Sequence, residues 1–148
     1  MVKLPPPVWA ILYLIAAAAA SSLHAWKTGI DLTFVPAGVL AISMGVATMA
    51  WALLLFWREG TEINPTSAQN KKLVARGPFR LTRNPMYLGL TLVSLGIAFC
   101  VGSFPMFAVP PLVFATANFI HIPFEEEKMR RQFGAAYDEY VRRVPRWL

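Results

Sequence analysis

Four apolar stretches constrain this chain more than anything else in it. They run from about Val8 to Trp26, from about Phe34 to Trp57, from Met86 to Gly102-Ser103, and from about Pro105 to Ile122. Crossing a bilayer takes about 20 apolar residues of helix, and backbone polar groups in lipid must be satisfied within the segment. Each stretch therefore predicts a transmembrane helix. Composition agrees, since 56% of the 148 residues are hydrophobic and 15% charged, with mean hydropathy +0.48. A soluble domain carries about 25% charged residues. The expected fold is all-α: one integral membrane domain, with two spans in 1–57 and a loop, a helical hairpin and a C-terminal amphipathic helix in 58–148.

Details within the stretches refine this picture. Lys3 and the run Val8 to Ala20 have the outline of a signal peptide, but Pro5-Pro6-Pro7 does not suit one and the apolar run reaches Leu23 or beyond. A retained first span is expected. Ser103 and Pro105 mark a tight turn between the last two spans, and Pro110-Pro111 predict a kink in the fourth. Gly38, Ala41 and Gly45 are small residues at helical spacing, which suits close helix contact within or between chains and leaves oligomeric state open.

Charge sets the orientation. Lys71, Lys72, Arg76, Arg80 and Arg83 lie in the connection before the third span, and Arg130, Arg131, Arg142, Arg143 and Arg146 in the tail. Two spans separate the clusters, so both fall on one side, and positive residues favour the cytoplasm. Both termini are expected in the cytoplasm, with the protein in the cytoplasmic (inner) membrane and its arginines near lipid headgroups. Nucleic acid is not an expected partner, because no basic helix or aromatic platform accompanies the charge. The tail reads as an amphipathic helix, with Met129, Phe133, Ala136, Tyr137 and Tyr140 on one face and Gly134 as a break or a close approach.

Two polar clusters share that face. Gly77-Pro78-Phe79-Arg80-Leu81-Thr82-Arg83-Asn84-Pro85-Met86-Tyr87 is basic and punctuated by prolines, which fix local geometry. Glu125-Glu126-Glu127 follows the fourth span. Asn84 suits either a helix cap or a ligand contact. The glutamates suit either helical pairs, Glu126 with Arg130 and Glu127 with Arg131, or an inward carboxylate that holds a cationic group. His121, one turn before Glu125, is either an interfacial polar residue or a substrate contact. No metal site is expected: Cys100 is the single cysteine, and His24 and His121 are placed at opposite faces. No GxGxxG or P-loop pattern occurs.

The run Leu73-Val74-Ala75-Arg76-Gly77-Pro78-Phe79-Arg80-Leu81-Thr82-Arg83-Asn84-Pro85-Met86-Tyr87-Leu88-Gly89 resembles the isoprenylcysteine carboxyl methyltransferase and phospholipid methyltransferase group of membrane enzymes. So do Glu125-Glu126, the stretch Phe133-Gly134-Ala135-Ala136-Tyr137-Asp138-Glu139-Tyr140 and the closing Val144-Pro145-Arg146. The resemblance covers roughly the second half of the chain. It implies methyl transfer from S-adenosylmethionine, in a pocket made by the loop, the last hairpin and the tail. Leu73, Val74, Phe79, Asn84, Met86 and Tyr87 would line the cofactor site, Glu125 would hold the cofactor's amino group, and His121 would contact substrate. The carboxyl methyltransferases usually have histidine in place of Asn84 and a substrate-contacting arginine in place of His121, so the acceptor's reacting group is not fixed.

The expected function is methyl transfer from S-adenosylmethionine to a lipophilic acceptor at the cytoplasmic interface. Two rivals remain: a sterol-reductase-like enzyme using a nicotinamide dinucleotide, and a non-catalytic membrane protein whose basic loop binds anionic lipid.

Overall fold

The computed structural model describes residues 4–23, 30–60 and 73–148, and all regular structure among them is helical. His24, Trp26, Lys27 and residues 61–72 of the loop between the second and third spans, Lys71 and Lys72 among them, lie outside the described residues.

Prolines open most of the helices. They occupy the first turns of α1 (Pro6–Ser22), α2 (Val35–Arg58), α3 (Pro85–Val101), α4 (Val109–Thr116) and α5 (Ile122–Phe133). Where a helix starts afresh, as α1, α2 and α3 do, a first-turn amide has no partner inside its helix, so proline loses nothing there, and its fixed φ is already helical. At the far end of α3, Gly102 adopts φ +70 and its N–H closes on the Ala98 carbonyl at 2.8 Å. This left-handed cap ends the helix where a side chain would be strained.

The fourth apolar stretch differs from expectation. It is one helical run of 30 residues, Phe104–Phe133, whose winding changes along its length. A 3-10 turn at Phe104–Ala108 leads into α4, then a π turn at Ala117–His121 leads into α5. Pro110 and Pro111, which have no amide to donate, stand where the 3-10 turn passes into α4. A second irregularity is the π turn that ends at His121.

By length and composition, α2 and the Phe104–Phe133 run are able to cross a membrane. Helices α1 and α3 are shorter, at 17 residues each. That is about 25 Å of helix, against a hydrocarbon core of about 30 Å.

Helix α3 lies between α2 on one side and α1 and α4 on the other. Its seam with α2 is made of glycine. A Cβ on Gly45 would stand 2.5 Å from the Gly89 carbonyl oxygen, and a Cβ on Gly96 2.5 Å from that of Gly38. Pairing Gly38 with Gly96 and Gly45 with Gly89 makes the two helices antiparallel and brings backbone onto backbone. On the other side, Tyr13 and Thr116 share a hydrogen bond of 2.8 Å, as do Ser21 and Ser103. These bonds set α1 antiparallel to the fourth helix. The starts of α1 and α3 and the start of α5 consequently meet at one end of the molecule.

The tail folds over that end. Gly134, at φ +51 and ψ −128, separates α5 from α6 (Ala135–Arg143). A Cβ there would meet nothing within 4 Å, so the glycine makes a break and not a close approach. The break resets the helical phase, and Ala136, expected on the apolar face, is exposed. Tyr137, Tyr140 and Val144 form that face with Met129 and Phe133, and pack on Leu73. The Tyr140 hydroxyl donates to the Phe79 carbonyl at 2.7 Å, which pins α6 to the loop ahead of α3.

Candidate active site

Tyr87 lies in the first turn of α3, buried, and its hydroxyl donates to Glu125 Oε1 at 2.6 Å. The His121 ring stacks on Tyr87, with centroids 6.2 Å apart and planes 25° from parallel. His121 and Glu125 are four residues apart and share a helix face, which the π turn directs at α3. Among the described residues Glu125 accepts from Tyr87 and has no lysine or arginine partner. A carboxylate buried without a cation is costly, and burial pushes the Glu125 carboxyl up to about 7, so it is readily protonated unless a cationic ligand completes it.

A cleft opens beside this trio, between α1, α3 and α4. Its walls include Trp9, Leu90, Val113 and Ala117, with Tyr87 and His121 also lining it, and it has room for little more than a water molecule. The cleft is therefore apolar along most of its wall, with the polar groups at one end.

Glu126 faces a different set of groups. Its carboxylate meets Arg83 Nη1 at 2.9 Å, and Arg146 donates to both its oxygens, Nη2 at 2.6 Å and Nε at 3.1 Å. The helical pair expected between Glu126 and Arg130 is absent, because the two long-range arginines claim the carboxylate; Arg130 pairs with Asp138 instead, at 2.9 Å. Glu127 does pair with Arg131 as expected, at 2.9 Å, in an exposed position. The hydrogen bond to Glu126 raises the pKa of Arg146, with burial opposing. Burial, and after it the charge of Glu126, raises the pKa of the Tyr137 hydroxyl, while its hydrogen bond with Arg83 works the other way.

The last residues strap this cluster together. The Arg146 carbonyl accepts from Thr82 Oγ1 and Asn84 Nδ2, both at 2.9 Å, and the Pro145 carbonyl accepts from the Arg83 N–H at 3.0 Å. Trp147 Nε1 donates to Asn118 Oδ1 at 3.0 Å while its ring lies 4.5 Å from Phe114. Asn84 therefore does not cap α3 with its side chain, which is spent on the tail.

Of the residues singled out in the sequence, Tyr87, Glu125 and His121 come together at the cleft. Phe79, Val74 and Met86 go elsewhere, into an apolar cluster with Ala52, Leu55 and Phe56 of α2, where the rings of Phe79 and Phe56 are 5.0 Å apart. Leu73 packs under α6 and Asn84 holds the tail. Sequence reasoning took Arg83 and Arg146 as topology signals and headgroup contacts and did not single out Asn118, Thr82 or Trp147. The one available signal was that Arg83 and Arg146 both sit in the blocks that carried the resemblance; nothing in their spacing says that they meet on one glutamate.

Residues 33–136 match the family described as phospholipid methyltransferase. The chain belongs to that family. Among relatives of this phospholipid methyltransferase family protein is "Protein-S-isoprenylcysteine O-methyltransferase B" of Arabidopsis thaliana, 29% identical over 124 residues, which are 82% of this chain and 59% of that protein. Another is "Nickel-cobalt-cadmium resistance protein NccN" of Alcaligenes xylosoxydans xylosoxydans, 26% identical over 141 residues, 93% of this chain and 61% of that protein. The chain thus spans 59–61% of the length of these relatives. No solved structure matches the chain. Among the described residues, no three His, Cys, Asp or Glu side chains are grouped so as to share a metal ion.

Proposed function

We propose that this chain is a membrane methyltransferase that takes its methyl group from S-adenosylmethionine and passes it to a lipophilic acceptor. The observation that carries the reading is the Glu125 carboxylate, hydrogen-bonded by Tyr87, beside the His121 ring, and paired with no cation among the described residues. Family membership supports the chemistry, and the apolar cleft supports the class of acceptor.

The residues present fit the cationic portion of such a donor. Glu125 suits an ammonium group, and the faces of Tyr87 and His121 suit an onium charge. The cleft has room for little more than a water molecule, against roughly 300 Å³ for an ordinary ligand pocket, so the donor binds only as the helices around it part. When bound, S-adenosylmethionine supplies an electrophilic methyl on a sulfonium. The chain's own work is then to bind, orient and exclude water, which suffices for in-line displacement between aligned partners. Glu125 binds the donor, and Tyr87 keeps that carboxylate aimed. His121, buried at the polar end of the cleft, contacts the acceptor's reacting end, while Trp9, Leu90 and Val113 take its apolar part. Leu73, Val74, Phe79, Asn84 and Met86 shape the site from behind, through packing and through the tail.

In this reading α1, α2, α3 and the fourth helix all span the bilayer. The starts of α1 and α3 and all of α5 and α6 lie at the cytoplasmic face, where water-soluble donor and lipid-borne acceptor meet. Both termini are cytoplasmic.

Calorimetric titration of the full chain in lipid nanodiscs with S-adenosylmethionine, and with its demethylated product, tests the reading. Saturable binding is expected, weakened about tenfold or more by Glu125→Gln, which keeps shape and removes charge. Folded protein that binds neither compound would sink it.

A further inference from the structure

The fourth helical run holds one residue more than regular winding would. Its π turn, Ala117–His121, closes where the Ile122 N–H reaches the Ala117 carbonyl, five residues back instead of four. Pro123 stands one residue past that bond, inside a run that continues to Phe133. In regular winding the amide of residue 123 would bond to the Phe119 carbonyl. Proline has no amide, and its ring would collide with that carbonyl. The wider turn relieves the collision. It also changes orientation, because one surplus residue turns everything downstream by about 100°.

Downstream stand three carboxylates in a row, so the winding decides which of them faces what. With the wide turn, Glu125 meets Tyr87, and Glu126 meets Arg83 and Arg146. Regular winding would carry each residue on by one place. Phe124 would then stand against Tyr87, Glu125 between the arginines, and Ile120 where His121 now lies. The arginines would still hold a carboxylate, so their charge does not choose between the two windings. We infer, relying on the methyltransferase reading only for the identity of the ligand, that Pro123 is a positioning residue: it keeps the π turn wide, and the wide turn sets the register in which Glu125 and His121 face α3. Asn118 supports the same winding from within the turn, where its Oδ1 accepts from Trp147 Nε1 at 3.0 Å and Arg146 Nη1 at 3.3 Å.

The test rewinds the turn and then shortens it, on the full chain in nanodiscs. Pro123→Ala supplies the missing amide and should weaken S-adenosylmethionine binding about tenfold or more, although Pro123 does not line the cleft. Deleting Phe119, whose side chain is 74% exposed, removes the surplus residue. In the Pro123→Ala background this deletion should bring affinity back to within about threefold of wild type. The thermal midpoint reads the register without ligand. In the wild type Glu126→Gln should lower it by about 5 °C, and Glu125→Gln should not lower it. In Pro123→Ala the two effects should exchange, and the deletion should exchange them back. Binding lost in Pro123→Ala and not regained on deletion overturns the inference, since the proline then acts through packing alone. A Pro123→Ala chain in which Glu126 keeps the larger effect overturns it too, as does an unfolded Pro123→Ala that the deletion fails to refold. Exchanged midpoint effects with no binding by any chain, wild type included, leave the register standing and remove the methyltransferase reading.

Discussion

The α2–α3 seam and the charged end of the molecule are both close-packed, but they are built on different principles. In the seam, Gly38, Gly45, Gly89 and Gly96 remove side chains so that two backbones touch. Its partners are interchangeable in chemistry, and only size matters. At the charged end, Arg83, Glu126, Asn118 and Arg146 meet by specific hydrogen bonds, and identity matters more than size. The seam holds the helices in register; the polar end depends on that register to bring the loop before α3, the fourth helical run and the tail together.

Enlarging the seam is the harshest way to probe this contrast. In Gly45→Leu the new side chain starts 2.5 Å from the Gly89 carbonyl and 2.9 Å from Val93 Cγ2, with backbone on the near side. Overpacking of this kind costs about 3 kcal/mol. Thermal unfolding in detergent should show a large fall in midpoint, with loss of ligand binding as a consequence; an unchanged midpoint would mean that α2 and α3 do not pack through these glycines.

Deleting the carboxylate of Glu126 tests the other principle. Glu126→Ala leaves Arg83 and Arg146 facing one another without a counter-charge. Full burial would cost about 3–5 kcal/mol. With Arg146 34% exposed, about 2 kcal/mol is expected. Glu127→Ala, which removes an exposed pair one residue away, should cost less than about 0.5 kcal/mol. Equal effects in a denaturant titration of the two variants would contradict a built cluster at Glu126.

The smallest expected effect concerns the strap's anchor. Tyr140→Phe removes the bond to the Phe79 carbonyl and should cost about 1 kcal/mol at neutral pH. Burial raises the Tyr140 and Tyr137 hydroxyls above their ordinary pKa of 10.0. Their neutral forms therefore support the fold fully below about pH 10, and that support is lost as pH rises through their folded-state values. The wild type should lose stability in this alkaline window, and Tyr140→Phe should lose less of it. A pH–stability curve of the same slope for both proteins would show that Tyr140 is not the titrating anchor.

Much of the fold was legible because the relevant signals are local. Long apolar runs, first-turn prolines and small residues in α2 name the helices and one seam without any tertiary knowledge. The winding of the fourth helix was legible only in part: Pro110-Pro111 flag the place where the 3-10 turn passes into α4, whereas the π turn at Ala117–His121 was not read from the residues. In the candidate site, Tyr87, Glu125 and His121 were readable, each lying at the edge of an apolar run where a polar group stands out. The packing of Phe79, Val74 and Met86 against α2 was not readable, because an apolar side chain near a loop gives no clue to which neighbours receive it.

The sequence by itself determined an all-helical, strongly apolar chain and the family to which it belongs, because hydrophobic run length and ordered motifs are properties of the chain read in one dimension. Only the tertiary structure decided which glutamate faces a tyrosine and which faces two arginines. Glu125 and Glu126 are indistinguishable as letters. They differ because successive residues on a helix point about 100° apart, and because antiparallel packing and the returning tail place Tyr87 on one side and Arg83 and Arg146 on the other.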